Sequence, residues 1–501
     1  MLKKAVKLFA LLMTTVLMLT FCSFTNFLVF AKGKSAKHSA LVEKEPIDVV
    51  MTYVDLTDPK LQKTRKSRIK KDEENGEIRY SVRSILQNMP WINKIFILMP
   101  NDRVKYFKSP KSISEKIVYI NDRDVLGFPS HSSITYEFNL WRLKKFGVSE
   151  NFIYMNDDWF IGKPLKKSDF FYESNGKVVP YVNSTTIGKN QKAYTQSAYR
   201  NLLKHKNNTV KDTGNDYWIQ YYATHLFIYK MFGDNVPVLY HTHNAIAENL
   251  TDLKELYDFV DKNYKHADAC LRSYKRKYES LQPQVLYSCY FYNKHHRKFK
   301  KVSCEYIDLC SAGQVKLSAA TFCINKSNDR EYSEEEYARC KIAMHMLFPK
   351  PTRYEKRVIK NGAYVIESAL KKGMVLDVAE GSSADCANIR LWGRNDTDAQ
   401  KFNVILQSDG TYVLEPWCSG KRTDVYAGGN EPGTNIWQYS KNGTDAQKWY
   451  LVPTNNGYYY LVSKCNGLCM DVDNACTYNG TNIKCWCVNG NIAQKFKLLK
   501  V

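Results

Sequence analysis

Acidic residues are in short supply in this 501-residue chain: 50 Asp and Glu stand against 73 Lys and Arg, a formal net charge of +23. The shortage suits anionic partners, such as nucleotides, sugar phosphates, acidic glycans or anionic membranes, without choosing among them. Nucleic-acid motifs are lacking too. The bases are scattered among Tyr and Asn, with one dense run at HHRKFKK (295–301), so nucleic acid is set aside as a partner. Cysteine is nearly missing from the first half: Cys22 stands alone before Cys270, and the other 13 of the 14 lie between 270 and 487. They show no CxxC…CxxC spacing, which excludes a zinc framework of that kind. Disulfides in an oxidising compartment, with one thiol left over, are the expectation.

Charge is missing from one long stretch. Leu8 to Ala31, 24 residues behind Lys3, Lys4 and Lys7, is uncharged and long enough to span a bilayer. A signal peptide has a shorter apolar region, about 7–15 residues. The expectation is therefore an N-terminal transmembrane helix, a signal anchor within 1–31, with the Lys end cytoplasmic and the body across the membrane. Val29-Phe30-Ala31 also reads as a cleavage site, which makes a secreted chain the alternative. The body would lie in the Golgi lumen of a eukaryote, as a type II membrane protein, or in the cell envelope or outside a bacterium. Asn-X-Ser/Thr sequons at Asn183, Asn207, Asn249, Asn325, Asn395, Asn442 and Asn479 agree with a glycoprotein. Residues 32–45 read as a polar stem.

The length predicts two or more domains. IDVVMTYVD (47–55) reads as a buried strand whose exit loop carries Asp55 and Asp58. GEIRYSVRSILQNMP (76–90) has helical spacing of apolar residues, and 91–100 and 116–122 read as strands. SSITYEFNLWRLKKFG (132–147) predicts a helix with Gly147 as its C-cap, and FIYMNDD (152–158) a fourth strand. This alternation argues an α/β sheet with acids at its strand ends, where such sheets bind ligands. Asp157 and Asp158 have three candidate roles: holding Mg²⁺ or Mn²⁺ against a diphosphate, acting as a general base, or simply being solvated in a turn.

The last third repeats. Gln400, Gln447 and Gln494 are spaced by 47 and 47, as are Asp377, Asp424 and Asp471, with Trp392, Trp437 and Trp486 between them. Such a period predicts an internally threefold all-β unit. With its AQKF, AQKW and AQKF segments it resembles the ricin-type lectins, β-trefoils carrying a Gln-X-Trp or Gln-X-Phe motif in each lobe, over 362–501. The resemblance implies a buried role for the three glutamines. It also implies carbohydrate-binding positions at Asp377, Trp392 and Asn395, at Asp424, Trp437 and Asn442, and at Asp471, Trp486 and Asn489. Arg390 and Lys484 stand where such lectins often carry Gln, and Cys469 and Cys487 where the third lobe would form a disulfide.

The body, 46–356, resembles the Stealth family. IDVVMTYVDLTDP is similar to its first block, and GEIRYSVRSILQNMPWINKIFIL with SSITYEFNLWRL…NFIYMNDDWFIG to its second. VLYHTHNAIAENL with CLRSYKRKY is similar to the third, and TFCIN with FPKPTRYE to the fourth. The resemblance implies an α/β, Rossmann-like nucleotide-sugar-binding catalytic domain. That domain would transfer a hexose- or N-acetylhexosamine-1-phosphate from a UDP-sugar to a hydroxyl of a glycan or glycoprotein acceptor, releasing UMP. The implied catalytic residues are Asp157, Asp158, His243 and Arg272, with Asp157 and Asp158 holding Mg²⁺ or Mn²⁺. Asp55, Asp58, Arg79, Ser81, Arg83, Ser84, Glu137, Asn156 and Asn325 would border the donor and its phosphates. Two positions depart from the family pattern. Ala245 replaces a Pro after His243, leaving His241 as a rival, and Lys326 replaces an acid after Asn325. The alternatives are a metal-dependent glycosyltransferase releasing UDP and a non-catalytic carbohydrate-binding surface protein.

Overall fold

A strand made almost wholly of apolar residues belongs inside a sheet covered on both faces. The structure, a computed structural model, describes residues 39–501 apart from 56–74, 101–105, 109–115, 183–184, 188–191, 209–213, 234–235, 237, 241–242, 302, 310, 312–318, 326–330 and 357–358. The body runs β1 (Ile47–Thr52), α1 (Glu77–Asn88), β2 (Ile95–Met99), β3 (Ile117–Asn121), α2 (Ser133–Phe138), β4 (Asn151–Asn156) and β5 (Trp159–Ile161). It continues through β6 (Ile246–Asn249), α3 (Leu250–Asn263), β7 (Cys304–Asp308) and β8 (Thr321–Asn325) to α4 (Glu334–Leu347).

The main sheet has the order β6-β4-β1-β2-β3. Val49 pairs with Ile95, Ile95 with Ile117 and Ile47 with Asn151, all in parallel, while β6 runs antiparallel to β4. This register brings Thr52, Met99, Asn121 and Asn156 to one edge, so four strands end together. The chain then leaves the sheet. β5 pairs antiparallel with β8, which lies parallel to β7 in a second sheet. The turn Asn156-Asp157-Asp158 is therefore the hinge between two sheets.

The helix predicted over 132–147 divides in two. Asn139 ends α2 because its side-chain amide donates to Thr135 O at 2.8 Å and to Leu271 O at 3.0 Å, competing with the helical ladder. A 3₁₀ segment, Leu140–Phe146, follows and closes on Gly147 at φ 79.

The threefold period appears as a β-trefoil from Gly362 onward. Gln400, Gln447 and Gln494 are fully buried, as are Phe402, Trp449 and Phe496. Each glutamine amide donates across its own lobe, to Gly393 O at 3.0 Å, Ser440 O at 2.9 Å and Cys487 O at 2.7 Å. On the pseudo-threefold axis Asn388 donates to Asn482, Asn482 to Asn435 and Asn435 to Asn388, each at 2.9 Å, closing a ring.

The two modules are packed together. Ala338 and Ile342 of α4 share an apolar cluster with Tyr450, Val452, Tyr460 and Val462 of the trefoil. Two trefoil turns abut the ends of α4. A Cβ on Gly410 would lie 2.6 Å from Pro349 C, and one on Gly490 2.7 Å from Glu334 C. Only glycine permits approach that close, and both residues also have positive φ, 93 and 74.

Three sequence expectations need correction. The N-terminal transmembrane helix is not supported: among the described residues no helix is long and apolar enough to cross a membrane, and the Leu8–Ala31 segment lies outside them. The twelve described cysteines are all thiols. Cys469 and Cys487 are unbonded because the strand register sets Trp486, not Cys487, opposite Cys469; the first thiol is buried and the second exposed. Among the sequons, Asn249 is buried, capping α3 through Asp252 N and donating to Asn151, while Asn325 is engaged with Asp158. Neither amide is presented as a surface acceptor.

Candidate active site

The carboxyl edge of the main sheet opens into two adjoining cavities. The first, of about 340 Å³, lies over the ends of β1, β2 and β4 and is lined by Thr52, Asp122, Tyr136 and Asp157 among others. The second, of about 140 Å³, is lined by Glu137, Trp159, His243 and Gln284 among others. Asn156, Ser133 and Arg276 line both. Asn156 is held in place, because its Oδ1 accepts from the Thr52 hydroxyl at 3.0 Å and the Tyr154 hydroxyl at 2.9 Å. That leaves its amide nitrogen as the donor that can be offered to a ligand.

Asp157 and Asp158, adjacent in the chain, serve different surroundings. Asp157 lines the first cavity. Asp158 accepts from Asn325 Nδ2 at 2.7 Å and from the Cys323 thiol at 3.4 Å, so β8 approaches it from the second sheet. Burial, with the Glu77 carboxylate nearby, pushes the Asp158 carboxyl up to about 7. Ligand atoms of Asp158, His243 and Cys323 lie within 4.8 Å of one another. Burial lowers the His243 imidazole below its ordinary range, which keeps it neutral and able to accept a proton. Glu137, in the second cavity, is likewise pushed up to about 7 by burial, while accepting from Gln284 and lying 3.3 Å from the Tyr154 hydroxyl.

The donor sets bear on the metal. A hard cation such as Mg²⁺ takes oxygen ligands and is commonly held by one or two carboxylates plus substrate phosphates. Asp157, facing a roomy cavity, fits that description. The oxygen, nitrogen and sulfur atoms of Asp158, His243 and Cys323 do not, because a thiol is too soft a ligand for it.

Several residues expected around the phosphates lie elsewhere. Arg83 is buried and forms a bidentate ion pair with Glu355, Nε to Oε1 at 2.9 Å and Nη2 to Oε2 at 2.7 Å, and donates to Phe348 O at 2.6 Å. Ser81 donates to Trp159 O at 2.5 Å, and Ser84 accepts from Ile161 N at 3.0 Å, so both fasten α1 to β5. Arg79 stacks over the Tyr106 ring at 4.4 Å, in a cavity shared with the trefoil. Arg272 is half-exposed and spent on Asp268, at 2.6 Å, and Asp261. Arg276, four residues further on, is the arginine that lines both cavities. It donates to Ser133 Oγ at 2.5 Å. The sequence offered no signal to separate it from its neighbours in CLRSYKRKY. Asp55 follows Val54, which lines the first cavity; Asp58 and His241 lie outside the described residues.

The trefoil lobes are not equivalent. Cross-strand register pairs Asp377 with Arg390, Asp424 with Trp437 and Asp471 with Lys484. Trp437 therefore occupies the position of Arg390 and Lys484, and the counterpart of Trp392 and Trp486 is Tyr439. In the first lobe Arg390 binds Asp377 at 2.9 Å and lies over Trp392 at 4.0 Å. In the third, Lys484 pairs with Asp473 and lies over Trp486 at 4.4 Å. A cation on the ring face covers the surface a sugar would use. In the second, Trp437 Nε1 donates to Asp424 at 2.9 Å, and Tyr426 and Tyr439 flank the indole, both exposed. Asn395, Asn442 and Asn489 each accept from the backbone two residues on, at 3.1, 2.9 and 2.9 Å, and so shape the turns before the glutamines.

An α/β body with acids, an amide and an imidazole at its carboxyl edge is joined to a trefoil with one open aromatic lobe, which makes a two-module protein. Residues 71–179 match the Stealth protein CR2, conserved region 2, and residues 353–439 and 418–486 match the ricin-type beta-trefoil lectin domain-like family. The chain is 31% identical over 165 residues to the capsular polysaccharide phosphotransferase cps12A of Actinobacillus pleuropneumoniae, covering 30% of this chain and 43% of that protein. Capsular polysaccharide phosphotransferase cps1A of the same organism is 27% identical over 248 residues, 45% of this chain and 62% of that protein. The chain thus spans less than two thirds of these relatives. Among solved structures, the designed 3-fold symmetric protein ThreeFoil is 34% identical, with 28% of this chain and 100% of that one covered at a TM-score of 0.28.

Proposed function

We propose that this protein transfers a hexose- or N-acetylhexosamine-1-phosphate from a UDP-sugar to a hydroxyl of a glycan, releasing UMP, while the trefoil holds carbohydrate through its second lobe. The observation that carries this reading is the pair of adjoining cavities with Asn156 and Arg276 on their shared wall. A diphosphate bridging them would meet a guanidinium and an amide at its centre. Phosphoryl transfer needs that kind of charge neutralisation, together with a positioned nucleophile.

In this mechanism the nucleotide lies over the strand ends and the acceptor enters from the His243 side. The acceptor oxygen forms a bond to the sugar-bearing phosphorus, the bond from that phosphorus to the UMP oxygen breaks, and the hydroxyl proton passes to the imidazole of His243. Asp158, held by Asn325, orients the acceptor or takes part in that proton transfer. Asp157 would hold Mg²⁺ or Mn²⁺, which supplies positive charge to the diphosphate oxygens when bound. Arg276 replaces Arg272 as the phosphate cation. The relatives named as phosphotransferases and the ricin-type lectin match support the reading.

Incubation with UDP-N-acetylglucosamine, Mg²⁺ or Mn²⁺ and mannose glycans tests it by the nucleotide released. UMP is expected. UDP would indicate ordinary glycosyl transfer, and no release across several UDP-sugars would indicate a binding protein.

A further inference from the structure

The cavity between α1 and the trefoil has no role in the reaction just described, yet its wall carries polar groups the fold leaves unmatched. Its volume is about 160 Å³, the scale of a single six-membered ring. The body contributes Arg79, His345 and Pro351, and the trefoil Leu451, Pro453 and Tyr459.

The polar groups point to the ligand's charge. Arg79 makes no ion pair among the described residues; its guanidinium rests on the Tyr106 ring. The acid in the lining, Glu355, is already neutralised by Arg83 and also accepts from Thr352 N at 2.8 Å. His345 is buried, and its Nε2 has no hydrogen-bond partner. Its Nδ1 shares a hydrogen bond of 3.1 Å with the Tyr80 hydroxyl. Burial and the two arginines hold the imidazole well below its ordinary range, so the ring is neutral. In the tautomer whose Nδ1 accepts from the phenol, the ring proton sits on Nε2 as a second unmet donor. A buried donor without an acceptor is costly, and a ligand oxygen would remove that cost.

The remaining wall is largely apolar, with three tyrosines, three prolines, Ile359 and Leu451, and Lys356 stands among them as a further cation. Cationic groups, one neutral donor and a largely apolar wall match a ring with a hydrophobic face and an acidic group. We infer that this junction is a binding site for an acidic saccharide unit, a sugar bearing a single carboxylate or phosphate, gripped between the catalytic body and the lectin. The inference rests on the carbohydrate-directed reading of the chain and adds a second carbohydrate contact outside the lectin lobes.

Calorimetric titration of the full chain with glucuronic acid, glucose 6-phosphate, glucose and inorganic phosphate, with no nucleotide sugar present, tests it. At least one acidic sugar is expected to bind ten times or more tighter than glucose, and which of the two does so names the acid. Arg79→Gln should remove that preference and Arg79→Lys retain most of it. In the unmodified chain, the acidic sugar should protect Arg79 from phenylglyoxal, read by peptide mass, which decides the matter even if the variants do not fold. Equal binding of acidic sugar and glucose, an unchanged preference in Arg79→Gln, or unprotected Arg79 would overturn the site. Inorganic phosphate binding as well as glucose 6-phosphate would reduce it to an anion site and overturn the saccharide assignment. Because no donor is present, an inactive transferase can still pass this test and an active one can fail it.

Discussion

The carboxyl edge of the α/β sheet and the three trefoil lobes treat polar residues in opposite ways. At the sheet edge, buried groups are displaced from their ordinary protonation: Asp158 and Glu137 sit near 7 and His243 is held neutral. In the trefoil nearly every repeated polar group is spent on the fold. Its glutamines tie the lobes, its asparagines shape turns or meet on the axis, and Asp377 is consumed by Arg390. The lesson is that recurrence marks architecture, whereas perturbed protonation in a cavity marks a place kept for chemistry. Asp424 is the exception in the trefoil: a buried carboxylate beside exposed aromatics with no cation opposite it.

The largest effect expected from breaking this contrast is at Asp158. Asp158→Asn should lower transfer at least about a hundredfold, the scale of a lost acid–base group, while glycan retention by the trefoil is unchanged. Full activity in the variant would place the chemistry elsewhere. Next comes the seam between the modules. Gly410→Ala drives a methyl into Pro349, whereas Gly443→Ala meets nothing within 4 Å at a similarly positive φ. Denaturant midpoints should show Gly410→Ala costing about 1–3 kcal/mol more than its control, the usual cost of overpacking; equal costs would mean the seam yields.

A smaller effect separates the lobes. Asp424→Ala should weaken glycan binding about tenfold, the equivalent of about 1.4 kcal/mol, and Asp377→Ala should leave it nearly unchanged. The reverse order on a glycan array would make the first lobe the active one. The smallest effect is a difference in pH slope. Asp158 and Glu137 bind protons more tightly folded than unfolded, so their contribution to stability falls as pH rises from about 4 to 7. Asp409 in the trefoil behaves oppositely. Burial alone would raise it, but bonds from Thr411 and Lys464 outweigh that and bring it to about 2, so its contribution is present above about 4 and lost as pH falls toward 2. Thermal unfolding between pH 2 and 8 should show both limbs, with Glu137→Gln flattening the upper and Asp409→Asn the lower.

What the sequence revealed divides along the same line. Strand positions, the 47-residue period and the NDD turn were legible because they rest on local pattern: apolar runs, spacing and acids at strand ends. The fates of Arg79 and Arg83 were not. Their helical spacing is equally consistent with a phosphate and with the arrangement found, in which Arg83 meets a carboxylate 272 positions away. The same holds for Arg272 and Arg276, which differ only in what the tertiary structure brings near them. Trp437 shares residue type with Trp392 and Trp486 but not their place in the repeat. Counted from its aspartate, it stands 13 residues on, as Arg390 and Lys484 do, while Tyr439 stands 15 on, as Trp392 and Trp486 do. The cysteine count suggested disulfides, but strand register decides which thiols can meet.

The ring of Asn388, Asn435 and Asn482 carries a consequence for how such a repeat can change. Each amide is donor to one neighbour and acceptor from the other, so the circuit has a rotational sense, and losing one member breaks two bonds at once. Positions that touch their own copies are thus answerable to each other, while those facing outward answer only to whatever they bind. A tripled unit of this kind can carry Arg390, Trp437 and Lys484 at equivalent rim positions, three unlike surfaces around one uniform hub.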